Sequence, residues 1–436
     1  MTKLVLYIID LIVSLVLFLV YPQEINAVII VTVITMILSI HTMLTIYNGR
    51  LTLSSVLLIY TILTEFGLFI PYAFLGQDVL SLYKDYTLVF LTSNYLVPAL
   101  LLGNIAIICY DIARIVYLIS HPIIQSNTTS TTYSLNKHSI GAVSTLLIAF
   151  VLLFFLINVL LGNMKLFGTY DDYIEFSHSI SIYPYVLVTF YAGVLYLSAS
   201  GTVKERSFGW FLWFLVVIIF AFNGNKGEFL YSLLAVIGLK GVLGQKLSWK
   251  MVMGGLLILI VIIPSITLLR HDGIANNLSG VTGSFMGAFV EMGMQIRTTV
   301  YTMEYLNDGT LNFLMGQSYY QPFINILTPF MNHTIATSHV AELLPTYGYN
   351  QVAESYLNFG LPGVVVFYSL MGYFLCKYEN QLKDLLHLAF LGTITCVLIN
   401  ASRNYFAFVP GQIIMMAIFY YYFKVTTKKR KINKGA

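Results

Sequence analysis

Long runs of apolar residues alternate with short polar stretches along almost the whole chain. Twelve runs are long enough, or nearly so, to cross a bilayer, since a transmembrane helix needs about 20 apolar residues. The runs fall at residues 4–21, 25–47, 52–75, 87–109, 140–161, 182–200, 208–222, 228–243, 251–269, 352–376, 385–401 and 406–423. The pattern predicts an all-α polytopic membrane protein with about twelve transmembrane helices.

The composition supports a membrane protein. Of 436 residues, 58% are hydrophobic and 10% are charged, and the mean hydropathy is +0.80. So few charged residues could not cover so much apolar surface in water. This excludes an ordinary soluble enzyme, a disordered chain and a nucleic-acid-binding protein. The three cysteines, Cys109, Cys376 and Cys396, are scattered among apolar runs and predict neither a disulfide framework nor a zinc site.

Lysine and arginine residues indicate the orientation of the spans. If the N-terminus lies inside, seventeen of the 23 Lys and Arg residues fall on the cytoplasmic side. Both termini are therefore predicted to be cytoplasmic. The predicted organisation is a bundle of about nine spans (1–269), a long extracytoplasmic loop or cap (270–351), a bundle of about three spans (352–423) and a basic cytoplasmic tail (424–436).

The long outer loop is too long to be expected without structure of its own. Residues 283–306 repeat apolar positions at three- and four-residue steps, which predicts an amphipathic helix. Residues 318–331 are rich in aromatic residues and are predicted to lie at the membrane interface. Most carboxylates fall on the outer side, and only Asp10 and Glu65 are expected at depth. A partly helical extracytoplasmic cap is the resulting prediction.

The end of this loop carries a recognisable motif. Residues 347–363 read YGYNQVAESYLNFGLPG. This segment resembles a signature of the bacterial O-antigen and capsule oligosaccharide repeat-unit polymerases of the Wzy type. The matching positions are Ala353, Glu354, Tyr356, Asn358, Phe359, Gly360 and Gly363. Residues 291–319 and the turn at 225–227 are also similar to the family, whereas the outer-loop Arg-to-Gly spacings depart from its pattern.

The resemblance implies a C-type glycosyltransferase-like fold in the bacterial cytoplasmic (inner) membrane. It implies that donor and acceptor are oligosaccharides linked to undecaprenyl diphosphate, in contact with membrane lipid. A hydroxyl of the acceptor sugar attacks the anomeric carbon, and lipid diphosphate leaves. Cations must stabilise the leaving diphosphate, and a carboxylate or neutral histidine must accept the hydroxyl proton. No cofactor, metal ion or nucleic acid is expected, and the involvement of a chain-length regulator is left open.

Candidate residues follow from these chemical requirements. Three of the seven arginines lie outside, against the positive-inside tendency. Diphosphate contacts are expected from Arg270, Arg297, Arg403 and Lys226. Candidates for the general base are Glu354, His339 and Glu342. Sugar contacts are expected from Tyr356, Asn358 and Tyr319. Each has a structural alternative, such as an ion pair or headgroup contact for an arginine, a helix cap for Glu354, and packing for the aromatic residues.

Two other functions remain open at this point. A ligase that moves finished glycan onto another acceptor would share the topology, the outer cations and the leaving group. A non-enzymatic flippase or transporter of lipid-linked sugar would need charged groups lining a path through the spans and no large cap. The eighty-residue loop and the scarcity of charge within the spans argue against the transporter, and the motif at 354–363 favours the polymerase over the ligase.

Overall fold

The structure is a computed structural model. It describes residues 2–20, 25–70, 88–121, 137–166, 170–199, 203–223, 225, 227–246, 248, 254, 289, 292–328, 330–331, 336–344, 348–381 and 384–427. Within these ranges the secondary structure is helical, with no β-strand. Seven of the helices are long and apolar enough to cross a membrane, or eight if one bent pair counts as a single span. The prediction of an all-α polytopic membrane protein is confirmed.

Nine helices precede the long loop in the described part of the chain. They are α1 (Thr2–Val20), α2 (Ile25–Ile46), α3 (Leu53–Phe66), α4 (Leu96–Ser120), α5 (Lys137–Leu160), α6 (Tyr170–Ser179), α7 (Tyr183–Ala199), α8 (Val203–Phe222) and α9 (Gly227–Val242). A 3₁₀ turn at Leu88–Thr92 leads into α4. Helices α6 and α7 meet at 100° and form the bent pair.

Six further helices follow. They are α10 (Ile296–Asn307), α11 (Gln317–Leu327), α12 (Ser338–Leu343), α13 (Gln351–Gln381), α14 (Leu385–Ala401) and α15 (Val409–Thr427). A 3₁₀ turn at Phe406–Phe408 precedes α15. Helix α4 lies at the centre, with 89% of its span buried, and packs along α13 and against α1 and α2. Helices α5, α7, α8, α14 and α15 form the neighbouring group, and α3 and α9 join the two.

Each predicted span except the ninth overlaps a helix, and residues 251–269 lie outside the described ranges apart from one position. The fourth prediction, 87–109, was displaced, because the helix runs from Leu96 to Ser120. Pro98 occupies the first turn, where a missing N–H costs nothing. At the other end Asp111 and Arg114 lower the hydropathy, yet they pair with each other and let the helix continue.

This pair also corrects the expectation that only Asp10 and Glu65 lie at depth. The Arg114 guanidinium donates to Asp111 at 2.8 Å and to the Ser55 hydroxyl at 2.9 Å. Tyr7 donates its hydroxyl to the other Asp111 oxygen at 2.9 Å. Both charged side chains are almost completely buried. Buried charges of this kind must be paired, and this pair links α4 to α1 and α3.

A further buried carboxylate, Glu379 of α13, lies near the start of α3. It accepts hydrogen bonds from the Ser54 N–H at 2.9 Å, the Ser54 hydroxyl at 2.6 Å and the Tyr47 hydroxyl at 2.7 Å. Because the first N–H groups of a helix have no partner within it, the carboxylate satisfies a donor of α3. Glu379 therefore joins α13 to α3 at the end predicted to be cytoplasmic.

Helices α10, α11 and α12 belong to the predicted cap. The described part of the 283–306 helix prediction is α10, which packs against α13 and α4. Its end is marked by Asp308, whose exposed carboxylate accepts the Thr310 N–H at 2.9 Å. This hydrogen bond lowers the pKa of the Asp308 carboxyl below its usual value. The α12 residue Val340 packs against Tyr349 and Leu357, at the start of α13.

Candidate functional site

Helix α13 is broken within the motif found in the sequence. Phe359 (φ −140°, ψ 16°) and Gly360 (φ 63°, ψ −150°) are not helical, so residues 351–358 form a short helix of their own. A side chain is strained at the positive φ of Gly360, which explains glycine there. The N–H groups of Leu314 and Met315 donate to the carbonyls of Leu357 and Asn358 at 3.0 and 3.1 Å. The loop before α11 thus caps the short helix.

Glu354 lies in this short helix and is completely buried, with 0% exposure. Its Oε2 atom accepts the backbone N–H of Phe406 at 2.8 Å and the Gln351 amide at 3.2 Å. No donor of the described residues lies within hydrogen-bond distance of its Oε1 atom, and the Ser318 hydroxyl is a further polar neighbour of the carboxylate. One carboxylate oxygen is therefore fixed by the protein, and the other remains able to accept a hydrogen bond or a proton.

Gln351 connects Glu354 to the turn after α14. Its Nε2 atom also lies 3.1 Å from the carbonyl oxygens of Ala401 and Asn404, on either side of Arg403. On the other side of this turn, a Cβ atom at Gly348 would lie 2.2 Å from the Arg403 carbonyl oxygen. The turn that carries Arg403 is thus packed directly against the start of α13, although it lies about fifty residues further along the chain.

Asn358 and Tyr319, both predicted sugar contacts, lie beside Glu354. The Asn358 amide donates to the Ser318 hydroxyl and to the Glu354 carbonyl oxygen, each at 2.7 Å. The hydroxyls of Tyr319 and Ser355 are 2.9 Å apart. The Tyr319 ring stacks on Phe367 and meets the Phe406 ring edge to face, with centroids 5.5 and 5.1 Å apart. These contacts attach the first turn of α11 to both halves of α13.

Of the four residues predicted to contact the diphosphate, the structure describes Arg403 and Arg297. The partly exposed Arg403 side chain is in hydrogen-bonding contact with Tyr60 and within electrostatic reach of Glu228 and Tyr231. Arg297 is buried at the start of α10. Arg270 and Lys226 lie outside the described residues.

The start of α10 is fixed to α13 through Asn350. The Asn350 amide donates to the Gln295 carbonyl and to the Thr299 hydroxyl, each at 3.1 Å. Asn350 Oδ1 in turn accepts the Ala353 N–H at 2.6 Å and so caps the short helix. Arg297 and Glu354 therefore belong to helices whose first turns are joined by one side chain.

The other predicted residues lie apart from this group. His339 and Glu342 are 61% and 77% exposed on α12, and they face each other at 3.7 Å. Tyr356 packs toward Phe313, with ring centroids 6.3 Å apart. Because Tyr356 follows Glu354 by two residues in a helix, its side chain projects from a different face of that helix. The structure thus assembles Glu354, Asn358, Tyr319 and the Arg403 turn, and it does not bring His339, Glu342 or Tyr356 to them.

Sequence analysis missed two residues near the site. Gln351 precedes Glu354 by one helical turn, a spacing that could have indicated contact. Glu228 lies in the first turn of α9, and its carboxylate accepts a hydrogen bond from the Tyr173 hydroxyl at 3.4 Å. The sequence pattern predicts Glu228 only as the first residue of the span 228–243. Within the described ranges no three His, Cys, Asp or Glu side chains cluster as metal ligands would, and independence of metal stays a prediction.

Comparison with known proteins agrees with the resemblance seen in the motif. Protein CapE of Staphylococcus aureus is 26% identical over 394 residues, which cover 88% of this chain and 87% of that protein. No solved structure matches the chain significantly. The sequence model described as O-antigen polysaccharide polymerase Wzy matches residues 4–434. Because this match extends over nearly the whole chain, the chain belongs to the O-antigen polysaccharide polymerase Wzy family.

Proposed function

We propose that the protein polymerises undecaprenyl-diphosphate-linked oligosaccharide repeat units at the outer face of the cytoplasmic membrane, with Glu354 as the general base. The observation that carries the proposal is the state of the Glu354 carboxylate. One oxygen is held by the Phe406 N–H and the Gln351 amide, and no donor of the described residues lies within hydrogen-bond distance of the other.

The proposed reaction is one glycosyl transfer per added repeat unit. A hydroxyl oxygen of the acceptor sugar forms a bond to the anomeric carbon of the donor glycan. The bond from that carbon to the diphosphate oxygen breaks, and lipid diphosphate leaves with the electron pair. The hydroxyl proton passes to Glu354 Oε1. Holding Oε2 fixes the direction in which Oε1 points, and such positioning lowers the entropic part of the barrier.

The leaving diphosphate develops negative charge that cations stabilise. Arg403 is proposed for this role because Gln351 ties its turn to Glu354, at 3.1 Å from the flanking carbonyls. Arginine suits a diphosphate because its planar fork can bind two oxygens at once. Arg297, Arg270 and Lys226 are proposed as further contacts on the same side of the membrane.

Asn358 and Tyr319 are proposed to limit the space beside Glu354 in which the acceptor sugar lies. Tyr319 presents an aromatic ring and a hydroxyl, and Asn358 Oδ1 is buried without a hydrogen-bond partner among the described residues. An unsatisfied buried carbonyl oxygen is costly unless a donor reaches it. A sugar hydroxyl is a suitable donor.

The test is a gel of surface glycan from the native bacterium, made with the gene deleted and then with variants restored. The proposal predicts that deletion leaves a single capped repeat, and that Glu354→Gln behaves like the deletion although the protein is present in the membrane. Glu342→Gln removes an exposed carboxylate of the same loop and should restore the ladder. A normal ladder with Glu354→Gln would refute the assignment of the base.

The same gel separates the other candidate functions. Polymer that is made but stays on its lipid carrier would indicate a ligase. Loss of even the single repeat, with lipid-linked units trapped inside, would indicate a flippase. An unchanged ladder after deletion would reject all three functions for that glycan.

A further inference from the structure

Helix α11 exposes apolar residues, whereas its polar residues are buried or partly buried. The exposed residues recur at three- and four-residue steps along one face: Tyr320, Phe323, Ile324 and Leu327. On the other side, Ser318 is buried against Asn358, and the Gln321 amide donates to Asn325 at 2.8 Å. A helix covering a water-soluble cap has the opposite arrangement, with its apolar face toward the core.

The surroundings of α11 are equally apolar. No Asp, Glu, Lys, Arg or His occurs from residue 309 to residue 332. Leu327 is 80% exposed, and the neighbouring Phe330 is fully exposed. Four more apolar residues of this stretch are exposed: Phe313, Met315, Ile326 and Met331. A continuous apolar surface of this kind marks a contact with membrane or protein.

The helix is too short to cross the membrane. Its 11 residues extend over roughly 16 Å at 1.5 Å per residue, about half the thickness of the hydrocarbon core. Short helices with one apolar face lie in the plane of the membrane instead, at the boundary between headgroups and acyl chains. The uncharged polar residues of α11 have partners within the protein, because Ser318 bonds to Asn358 and Gln321 bonds to Asn325.

The apolar face of α11 continues into the surface of the spans. Helix α11 packs against the 3₁₀ turn Phe406–Phe408 and against the start of α15, where Phe408 and Ile414 are exposed. Exposed Phe359 and Val366 on α13 continue the same kind of surface. Exposed apolar residues on membrane-length helices face acyl chains, and this continuity favours lipid over a second protein chain as the partner of α11.

We infer that α11 lies in the outer leaflet with its Tyr320–Leu327 face among the acyl chains. Its first turn is attached to α13 through Ser318 and Tyr319, next to Glu354. The Glu354 group then lies at the level of the lipid headgroups, behind a wall made by α11. If the proposed function holds, a lipid-linked repeat unit reaches Glu354 sideways from the leaflet, with its diphosphate at headgroup depth.

Fluorescence quenching of the full-length protein in phosphatidylcholine–phosphatidylglycerol vesicles tests this position. A fluorophore is attached to Phe323→Cys or Leu327→Cys, and Thr310→Cys, at an exposed site of the same loop, is the matched control. The natural cysteines, Cys109, Cys376 and Cys396, are buried and should not react. Lipids carrying a doxyl group quench from the membrane, and iodide quenches from water.

The inference predicts that labels at 323 and 327 are quenched several-fold more by doxyl lipid than the label at 310, with the reverse order for iodide. Iodide quenching at 323 and 327 equal to that at 310 would place the face in water and overturn it. Protection from both quenchers would mean that a second copy or another protein covers the face, and would overturn it too. The readout needs no activity, so it is independent of whether Glu354 is the base.

Discussion

The Glu354 carboxylate accepts a hydrogen bond from the backbone N–H of Phe406, 2.8 Å away, across 52 residues of sequence. This bond joins the short helix at the start of α13 to the turn between α14 and α15. Gln351 makes the same connection through its side chain. The proposed base and the proposed diphosphate ligand Arg403 are thus held by one hydrogen-bonded unit, and changes to that unit should affect both.

Gln351→Leu should lower polymer yield although every proposed reacting group is still present. The variant removes three contacts of the amide at 3.1 to 3.2 Å, so the Arg403 turn and Glu354 can shift relative to each other. A small misplacement of reacting groups can lower a rate by roughly 10- to 100-fold. The measurement is the rate of chain extension with purified protein and lipid-linked repeat units.

The control for this variant is Gln381→Leu, at the exposed opposite end of the same helix. Its rate should equal that of the unmodified protein. Thermal unfolding of both variants in detergent distinguishes misplacement from loss of fold, since Gln351→Leu should remain folded at the assay temperature. Unchanged extension by folded Gln351→Leu would show that the connection is not needed.

Gly360→Ala should impair both stability and polymerisation. Gly360 has φ 63° and ψ −150°, a region almost confined to glycine, where a side chain costs roughly 1–3 kcal/mol. The strain falls on the break in α13, two residues after Asn358, whose carbonyl accepts the Met315 N–H. A lower unfolding temperature together with a shortened glycan ladder is the expected result.

Gly411→Ala is the matched control for Gly360→Ala. Gly411 lies in α15, where an added Cβ atom meets nothing within 4 Å. Alanine in a helix is more stable than glycine by up to about 1 kcal/mol. This variant should therefore be as stable as the unmodified protein or more so, with a normal ladder. If both alanine variants lower the unfolding temperature equally, the backbone argument for Gly360 is wrong.

Most spans could be predicted from the sequence because the bilayer imposes a local requirement, about 20 apolar residues, that a short window of sequence reveals. The predicted fourth span ends too early, because Asp111 and Arg114 are charged and the sequence does not show that they pair with each other. Gly360 and Pro362 indicate the break in α13 from the local sequence. The N–H groups that cap the short helix belong to Leu314 and Met315, about forty residues earlier in the chain. Such contacts cannot be read from periodicity.

The candidate site was predictable in part. The motif directed attention to Glu354 and Asn358, and their burial in one group agrees with that choice. Contact between Gln351 and the turn of Arg403 depends on how α13 and α14 pack, which residue types alone do not specify. His339 and Glu342 were predicted as bases because each is a loop residue able to accept a proton. The structure places them as an exposed pair on α12.

Arg403→Ala should abolish polymer, and Arg403→Lys should retain part of it. Lysine keeps the positive charge but lacks the planar fork that binds two diphosphate oxygens. Arg206→Ala, which removes a partly exposed arginine at the predicted cytoplasmic end of α8, is the control and should leave the ladder normal. Chain length on a gel and protein level in the membrane are the measurements. Equal ladders for Arg403→Ala and Arg206→Ala would refute a diphosphate role for Arg403.

Arg114→Met tests whether the buried pair in α4 stabilises the bundle. The variant leaves Asp111 buried without its cationic partner, beside the hydroxyls of Tyr7 and Ser39. Removing one partner of a buried ion pair typically costs roughly 3–5 kcal/mol, because the remaining charge is not compensated. We expect a lower unfolding temperature in detergent and less protein in the membrane.

The double variant Asp111→Leu with Arg114→Met should recover most of that loss. Apolar residues of similar volume often replace a buried pair at no cost, because no charge then needs to be desolvated. Recovery would identify charge compensation as the function of the pair. If the double variant is as unstable as Arg114→Met, the loss comes from the guanidinium's other contacts, above all its 2.9 Å hydrogen bond to Ser55 of α3. The pair would then matter as a link between helices, and Ser55→Ala should reproduce part of the defect.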